Sequence, residues 1–284
     1  MEKLPFKINL KNKIAVVTGA GGVLCSGFAK TLAACGAKVA VLDLRLEAAQ
    51  KVADEITADG GIAIAVSANV LEKDSLETAR KDVTEKLGVC DILINGAGGN
   101  NPKGTTDNET LSLADLDNPN IRTFFDLDPD GVSFVFNLNF IGTLLPTQAF
   151  AKDMAKKGGG IILNVSSMNA FRPLTKIPAY SAAKAAVSNF TAWLAVHFAP
   201  VGIRVNAIAP GFFVTNQNYN LLFDAEGNPT ARSKKILAHT PMNRFGEQED
   251  LTGTLLWLCD DAASGFVNGI VVPVDGGFSA YSGV

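Results

Sequence analysis

The sequence predicts an α/β protein, one doubly wound domain with a seven-stranded parallel sheet and helices on both faces. Two observations carry this. Seven short runs rich in Val, Ile and Ala alternate with segments of helical spacing, and the alternation reaches the end of the 284 residues without a Pro- or Ser-rich linker. The hydrophobic content of 47% is enough to give a chain of this length a substantial core.

Taken in order, the strand candidates are Ile14–Thr18, Lys38–Leu42, Ile62–Val66, Asp91–Asn95, Ile161–Val165, Arg204–Ile208 and Ile270–Val274. Continuous apolar runs of this length are expected of strands buried on both faces. The helix candidates are Cys25–Cys35, Leu46–Ala58, Lys73–Leu87, Gly131–Lys156, Tyr180–Phe198 and Glu247–Cys259. Two stretches interrupt the rhythm: an insertion over 100–131, long and turn-rich, and a lid region over 211–241. Both follow the carboxyl end of a strand, where open α/β sheets bind ligands, and the insertion reads as an active-site lid, an interface element or a disordered loop.

Lys and Arg number 25 against 28 Asp and Glu, a formal charge of −3, so no basic field favours nucleic acid or anionic membrane. Small molecules are the expected partners. Cys25, Cys35, Cys90 and Cys259 lie far apart in apolar segments with no metal-ligand spacing, which predicts a reduced, cytoplasmic setting and no metal. The first residues intersperse charges with apolar side chains, which predicts neither a signal peptide nor a membrane span.

The stretch "VTGAGGVLCSGFAK" closes a strand at Thr18-Gly19 and opens a Gly-rich turn before a helix. Free N–H groups and the positive helix end can face a pyrophosphate there, although a tight strand-to-helix connection without ligand reads the same way. Asp43 strengthens the first reading, because an acid ending the second strand suits the adenosine ribose hydroxyls of NAD and repels the 2′-phosphate of NADP. Arg45 is the counter-signal: it could pair with that phosphate or simply be solvated. Further on, Tyr180 and Lys184 stand four apart on one helical face, with Ser167 ending the preceding strand and Asn139 in the helix before it. A Tyr–Lys pair alone reads equally as a surface pair on an amphipathic helix; the added Ser and Asn converge with it at the carboxyl edge of the sheet.

On these residues the chain resembles the short-chain dehydrogenases/reductases, in which the first turn reads T-G-x-x-x-G-x-G. Further matches are "NGAG" at 95–98, "APG" at 209–211 followed by Thr215, and "VDGG" at 274–277. The resemblance implies a Rossmann-like fold, and Asn139, Ser167, Tyr180 and Lys184 as the catalytic tetrad. It also implies a dinucleotide site built from Gly19, Gly21, Gly22, Val23 and Leu24 with Asp43, Asn69 and Val70. Asn95, Ala97 and Gly98, then Tyr180 and Lys184, then Pro210, Gly211 and Thr215 continue that site toward the nicotinamide. Val23 and Cys25 occupy two family glycine positions. A β-branched residue tolerates positive φ badly, so Gly21 and Gly22 are expected to absorb the unusual dihedrals while Cys25 allows close packing. Cys25 could instead be a reactive thiol at a helix start.

The chemistry fits hydride transfer: Tyr180 would give a proton to the carbonyl oxygen and Ser167 would hold that oxygen. Lys184 would lower the phenol pKa, and Asn139 would order a relay water. The run "GGNNPKGTT" makes the chain most similar to short-chain-type D-mannonate oxidoreductases, or fructuronate reductases, which implies a sugar-acid substrate. Asn100, Asn101, Lys103, Asn169, Arg172, Lys176 and His239 are rim candidates, with Arg172 leading and Asn169 beside it, although each cation could be ordinary surface. A polyol or sugar dehydrogenase such as a gluconate dehydrogenase remains the alternative, and a non-catalytic nucleotide-binding regulatory module the distant one. Val187, Phe190, Leu194 and Phe198 at helical spacing suggest core, whereas the family implies a homodimer or homotetramer through this helix.

Overall fold

Val, Ile and Ala suit strands covered from both sides, and their seven runs form one parallel sheet in the computed structural model, which describes residues 8–215 and 218–283. Residues 1–7 and 284 of the expected domain, and 216–217 of the expected lid, lie outside the described residues. The strands are β1 Ile14–Thr18, β2 Lys38–Asp43, β3 Ile62–Ser67, β4 Ile92–Asn95, β5 Gly160–Val165, β6 Ile203–Pro210 and β7 Val271–Val274. Their order is β3-β2-β1-β4-β5-β6-β7, so the winding order, though not the strand direction, reverses between β1 and β4. That reversal opens a crevice at the carboxyl ends of β1 and β4.

The helices are α1 Val23–Ala34, α2 Leu46–Ala58, α3 Lys73–Lys86, α4 Pro129–Phe136, α5 Gly142–Lys157, α6 Pro178–Phe198, α7 Tyr219–Leu222, α8 Ala231–Ala238, α9 Thr252–Cys259 and α10 Asp261–Ser264. On one face of the sheet Phe28, Leu32, Ile56, Leu255 and Leu258 of α1, α2 and α9 pack against Val17, Val41 and Leu163. On the other, Leu76, Phe150, Met154 and Leu194 of α3, α5 and α6 cover Val16, Leu42 and Val205. Each such side chain contributes about 1.5–3 kcal/mol when fully buried. No helix among the described residues is long and apolar enough to cross a membrane.

Three expectations are corrected. Strands β3 and β7 are not buried on both faces: Ile62 is 53% exposed and no residue of β7 is fully buried, because both strands lie at sheet edges. The helix expected over 131–156 is broken by a π-helical turn, Asn137–Ile141, between α4 and α5. The segment expected to begin a helix at Glu247 opens with a 3-10 turn, Gln248–Leu251.

The insertion is ordered by its own polar side chains. Its 3-10 turns, Pro102–Gly104, Leu113–Asp115 and Phe124–Asp126, are started by Asn101, Ser112 and Thr123, and the last two pair reciprocally with Asp115 and Asp126. Arg122 donates its amide to Asp107 Oδ2 at 2.6 Å and its guanidinium to the Pro102 carbonyl at 2.7 Å. The Thr106 amide reaches the Lys176 carbonyl at 2.9 Å, and Glu109 pairs with Lys235 of α8. The insertion therefore docks between the 170s loop and the lid.

Candidate active site

The crevice begins where β1 and β4 end. Thr18 Oγ1 accepts the Gly96 amide at 3.0 Å and the Ala97 amide at 3.3 Å, stitching the two turns together. Gly19 has φ +65°, and a Cβ there would stand 2.8 Å from Ala97 Cα, so glycine is required both by conformation and by space. This corrects the expectation for Gly21 and Gly22, neither of which adopts positive φ. Gly22 is extended, at φ −86° and ψ 162°, and caps α1, of which Val23 is simply the first residue. Gly21 is needed for approach: a Cβ would lie 2.9 Å from Asp43 Oδ2, which accepts the Gly21 amide at 3.0 Å. Cys25 Sγ fills the space that a Cβ on Gly96 would take, and burial pushes its thiol up to about 12, which fits the packing reading and not a reactive thiol.

Asp43 ends β2 with its carboxylate largely buried, accepting the Arg45 amide at 3.0 Å and lying 3.9 Å from Arg45 Nε. Asn69 Oδ1 accepts the Leu71 amide and its Nδ2 donates to Glu72, which leaves one lone pair on the oxygen. Val70 is buried against the α5 start, where a Cβ on Gly142 would meet it at 3.1 Å. Pro210 ends β6, the Gly211 amide is taken by the Val274 carbonyl at 2.9 Å, and the Thr215 amide is held by Asn218 Oδ1 at 2.8 Å. Leu24 and Val23 border a cleft of about 480 Å³ with Phe213, Val214 and Arg244.

Helix α6 starts at Pro178, which presets the first turn and places Tyr180 and Lys184 one turn apart. Lys184 is buried; its Nζ donates to the Val165 carbonyl at 2.8 Å and lies 5.7 Å from the centre of the Tyr180 ring. A Cβ on Gly98 would meet Asn139 Oδ1 at 2.7 Å and Lys184 Nζ at 3.3 Å, so this glycine is where the two side chains converge. Ser167 caps the 3-10 turn Met168–Ala170, its Oγ accepting the Asn169 amide at 3.2 Å. Asn139, Lys184 and Tyr180 are thus brought together beside Gly98, with Ser167 just beyond the end of β5.

The electrostatics differ from expectation. Burial raises the phenol above its ordinary value and only the Ser167 hydrogen bond draws it back, while burial brings Lys184 down to about 8. The ammonium bonds a backbone carbonyl instead of the phenol, so desolvation outweighs the expected acidifying effect of Lys184. Asn139 is also more committed than expected. Its Nδ2 donates to the Gly99 and Val135 carbonyls at 2.7 and 2.8 Å and its Oδ1 accepts the Gly99 amide at 3.3 Å. Its backbone carbonyl accepts Thr143 Oγ1 at 2.8 Å, and the side-chain amide has no group left over for a relay water.

Asn95 turns inward. Its amide donates to Thr147 Oγ1 and Asn164 Oδ1, both at 2.9 Å, so only its backbone is free to border the crevice. Thr147 in turn donates to the Thr143 carbonyl, and Asn164 to Thr191, completing a buried polar ladder that ends at Asn139. The threonines at 143 and 147 continue from Asn139 at four-residue spacing, a signal open to a reader of the sequence. At the rim, Arg172 Nε donates to the Ser279 carbonyl at 3.2 Å and Asn169 is buried beside Ser167. Lys176 has φ +73°, and His239 Nδ1 meets the Lys235 carbonyl at 2.8 Å. Asn100, Asn101 and Lys103 instead serve the insertion, bonding Thr105, the Lys103 amide and Asp128. Among the described residues no group of three or more His, Cys, Asp or Glu is arranged to hold a metal.

The short chain dehydrogenase family matches residues 13–224. The chain belongs to the short-chain dehydrogenases. This short-chain dehydrogenase is similar to a crystal structure, with bound NAD, of a protein from Haemophilus influenzae provisionally assigned as a D-mannonate oxidoreductase. The two share 62% identity over 99% of this chain and 100% of that one, with a TM-score of 0.93. It is 55% identical to an uncharacterized oxidoreductase, UxuB, of Bacillus subtilis, over 99% of this chain and all of the relative. A gluconate 5-dehydrogenase of Burkholderia cenocepacia in complex with NADP and tartrate is 29% identical over 97% and 98% of the two chains, with a TM-score of 0.81.

Proposed function

We propose that this short-chain dehydrogenase is an NAD(H)-dependent oxidoreductase of sugar acids that interconverts D-fructuronate and D-mannonate. The observation that carries the chemistry is the Tyr180–Lys184 pair one turn apart on α6, with the buried Lys184 Nζ 5.7 Å from the centre of the phenol ring. The residues present fit a dinucleotide: Gly19 and Gly98 leave spaces that a Cβ would fill, and the Asp43 carboxylate stands at the end of β2. The bound cofactor supplies or accepts the hydride at the substrate carbon. In reduction, Ser167 holds the carbonyl oxygen and Tyr180 gives it the phenolic proton, leaving a phenolate near the Lys184 ammonium. A phenol raised by burial keeps that proton at neutral pH, as an acid must. The positive charge of Lys184, 5.7 Å from the ring centre, favours that phenolate.

Similarity to the Haemophilus protein supports the choice of substrate, and Arg172 supports a carboxylate. Its Nε is held by Ser279, which leaves the outer nitrogens for a bidentate grip. Arg172→Met should raise KM for D-fructuronate about tenfold while leaving the KM for cofactor unchanged. The deciding experiment is turnover of D-fructuronate, 5-keto-gluconate and neutral ketoses with NADH and with NADPH. Preference for a neutral ketose would overturn the uronate reading. A gluconate 5-dehydrogenase using NADP is the second reading, favoured by the exposed Arg45 beside Asp43. The complete tetrad speaks against a non-catalytic module. We place the protein in the cytoplasm, which its four free cysteines support, and read it as a homodimer or homotetramer, supported by the exposed Trp193 and Val196 of α6 and tested by light scattering.

A further inference from the structure

The loop after the lid sends one side chain into the phosphate-binding turn. Gln248 lies 225 residues beyond Val23, yet its Nε2 donates to the Val23 carbonyl at 2.6 Å, at the first residue of α1. That carbonyl also accepts Ser26 Oγ at 2.9 Å. The amide reaches it through a slot opened by Gly27: a Cβ there would lie 1.7 Å from Gln248 Nε2 and 2.1 Å from its Cδ. Gly27 is in mid-helix, where Ala is intrinsically favoured by about 1 kcal/mol, so local propensity does not account for glycine.

The arm is rigid at its base. Glu247 and Asp250 cap the 3-10 turn that begins at Gln248, and Arg244 grips both Asp250 oxygens, at 2.6 and 2.8 Å. The Gly246 amide is fastened to the Phe212 carbonyl at 2.8 Å, next to the start of the lid. Leu24, Phe213 and Gln248 line one cleft, so the arm joins the lid base to the turn across the space beside it.

We propose that Gln248 is a positioning residue for cofactor binding: through the slot at Gly27 it fixes the first turn of α1, whose amides face the pyrophosphate. The role rests on dinucleotide binding and is independent of which sugar acid is turned over. It acts on the phosphates and not on the adenosine, because Asp43 and Asn69 belong to other elements.

The test is a double-mutant cycle on the full chain, read by titration with ADP-ribose and with adenosine and by thermal melting. Gln248→Ala should raise the Kd for ADP-ribose roughly three- to tenfold, the range for one lost hydrogen bond, and leave adenosine within about twofold. Gln248→Glu fills the slot but cannot donate when ionised, and should do at least as much damage. Gly27→Ala expels the side chain and should match Gln248→Ala. In the Gln248→Ala background it should add no further loss and should raise Tm, because an alanine now fits an emptied helix position. Additive losses in the double variant would overturn the shared slot. Equal losses for ADP-ribose and adenosine, or unchanged ADP-ribose affinity in Gln248→Ala, would overturn the positioning role. Failure of ADP-ribose to bind the parent protein would instead remove the dinucleotide reading itself.

Discussion

Lys184 is placed where solvent cannot help it. With an amine brought down to about 8 from 10.5, the folded protein binds fewer protons than the unfolded chain between those values, so folding gains stability as pH rises through that window. Below pH 8 the cost of burying the charge is present in full. Lys184→Met should therefore flatten the rise in urea midpoint between pH 8 and 10 relative to the parent, while kcat collapses; parallel profiles would mean the amine is not buried in its charged form. Tyr180→Phe should lower kcat by at least ~10²-fold with NADH affinity retained, checked by single-turnover and binding assays. Asp43→Ala should narrow the NADH-over-NADPH ratio of kcat/KM, since it removes the carboxylate and frees Arg45. The nearness of Tyr180 and Lys184 was legible because four-residue spacing along one helix translates directly into proximity. Gln248 was not, because the sequence does not encode which distant side chain a mid-helix glycine makes room for.

At the scale of elements, strand centres and α2 were readable to the residue, but the π-turn was not. Continuous apolar spacing across 131–156 looks the same with or without one extra residue in a turn, and what marks the difference is the hydroxyl column at Thr143 and Thr147 under Asn139. Thr147→Val keeps the shape and removes one acceptor from the buried Asn95 amide. The expected cost is about 1–3 kcal/mol in urea unfolding, with a fall in kcat through displacement of Asn139. Unchanged stability would show the ladder to be slack. The dihedrals of the Gly21-Gly22 turn are hidden for a related reason: a glycine in sequence looks the same whether it supplies conformational freedom or, as Gly21 does, room for Asp43 to approach.

For the whole molecule, two apolar layers share one sheet, so neither can be lost alone. Heat should unfold the protein in one transition. NADH at a hundred times its Kd should stabilise it by about 2.7 kcal/mol, a rise in Tm of roughly 5 °C or more by differential scanning fluorimetry. A melting curve indifferent to NADH would contradict the cofactor assignment. Fold class follows from alternation, whereas strand order and the edge strands appear only when the neighbours are known. The bridge from insertion to lid, through Glu109 and Lys235, is made of two solvent-exposed charges. Such a tie weakens as ions screen it, so the two loops should part more readily in concentrated salt, read as faster proteolytic cutting of the insertion.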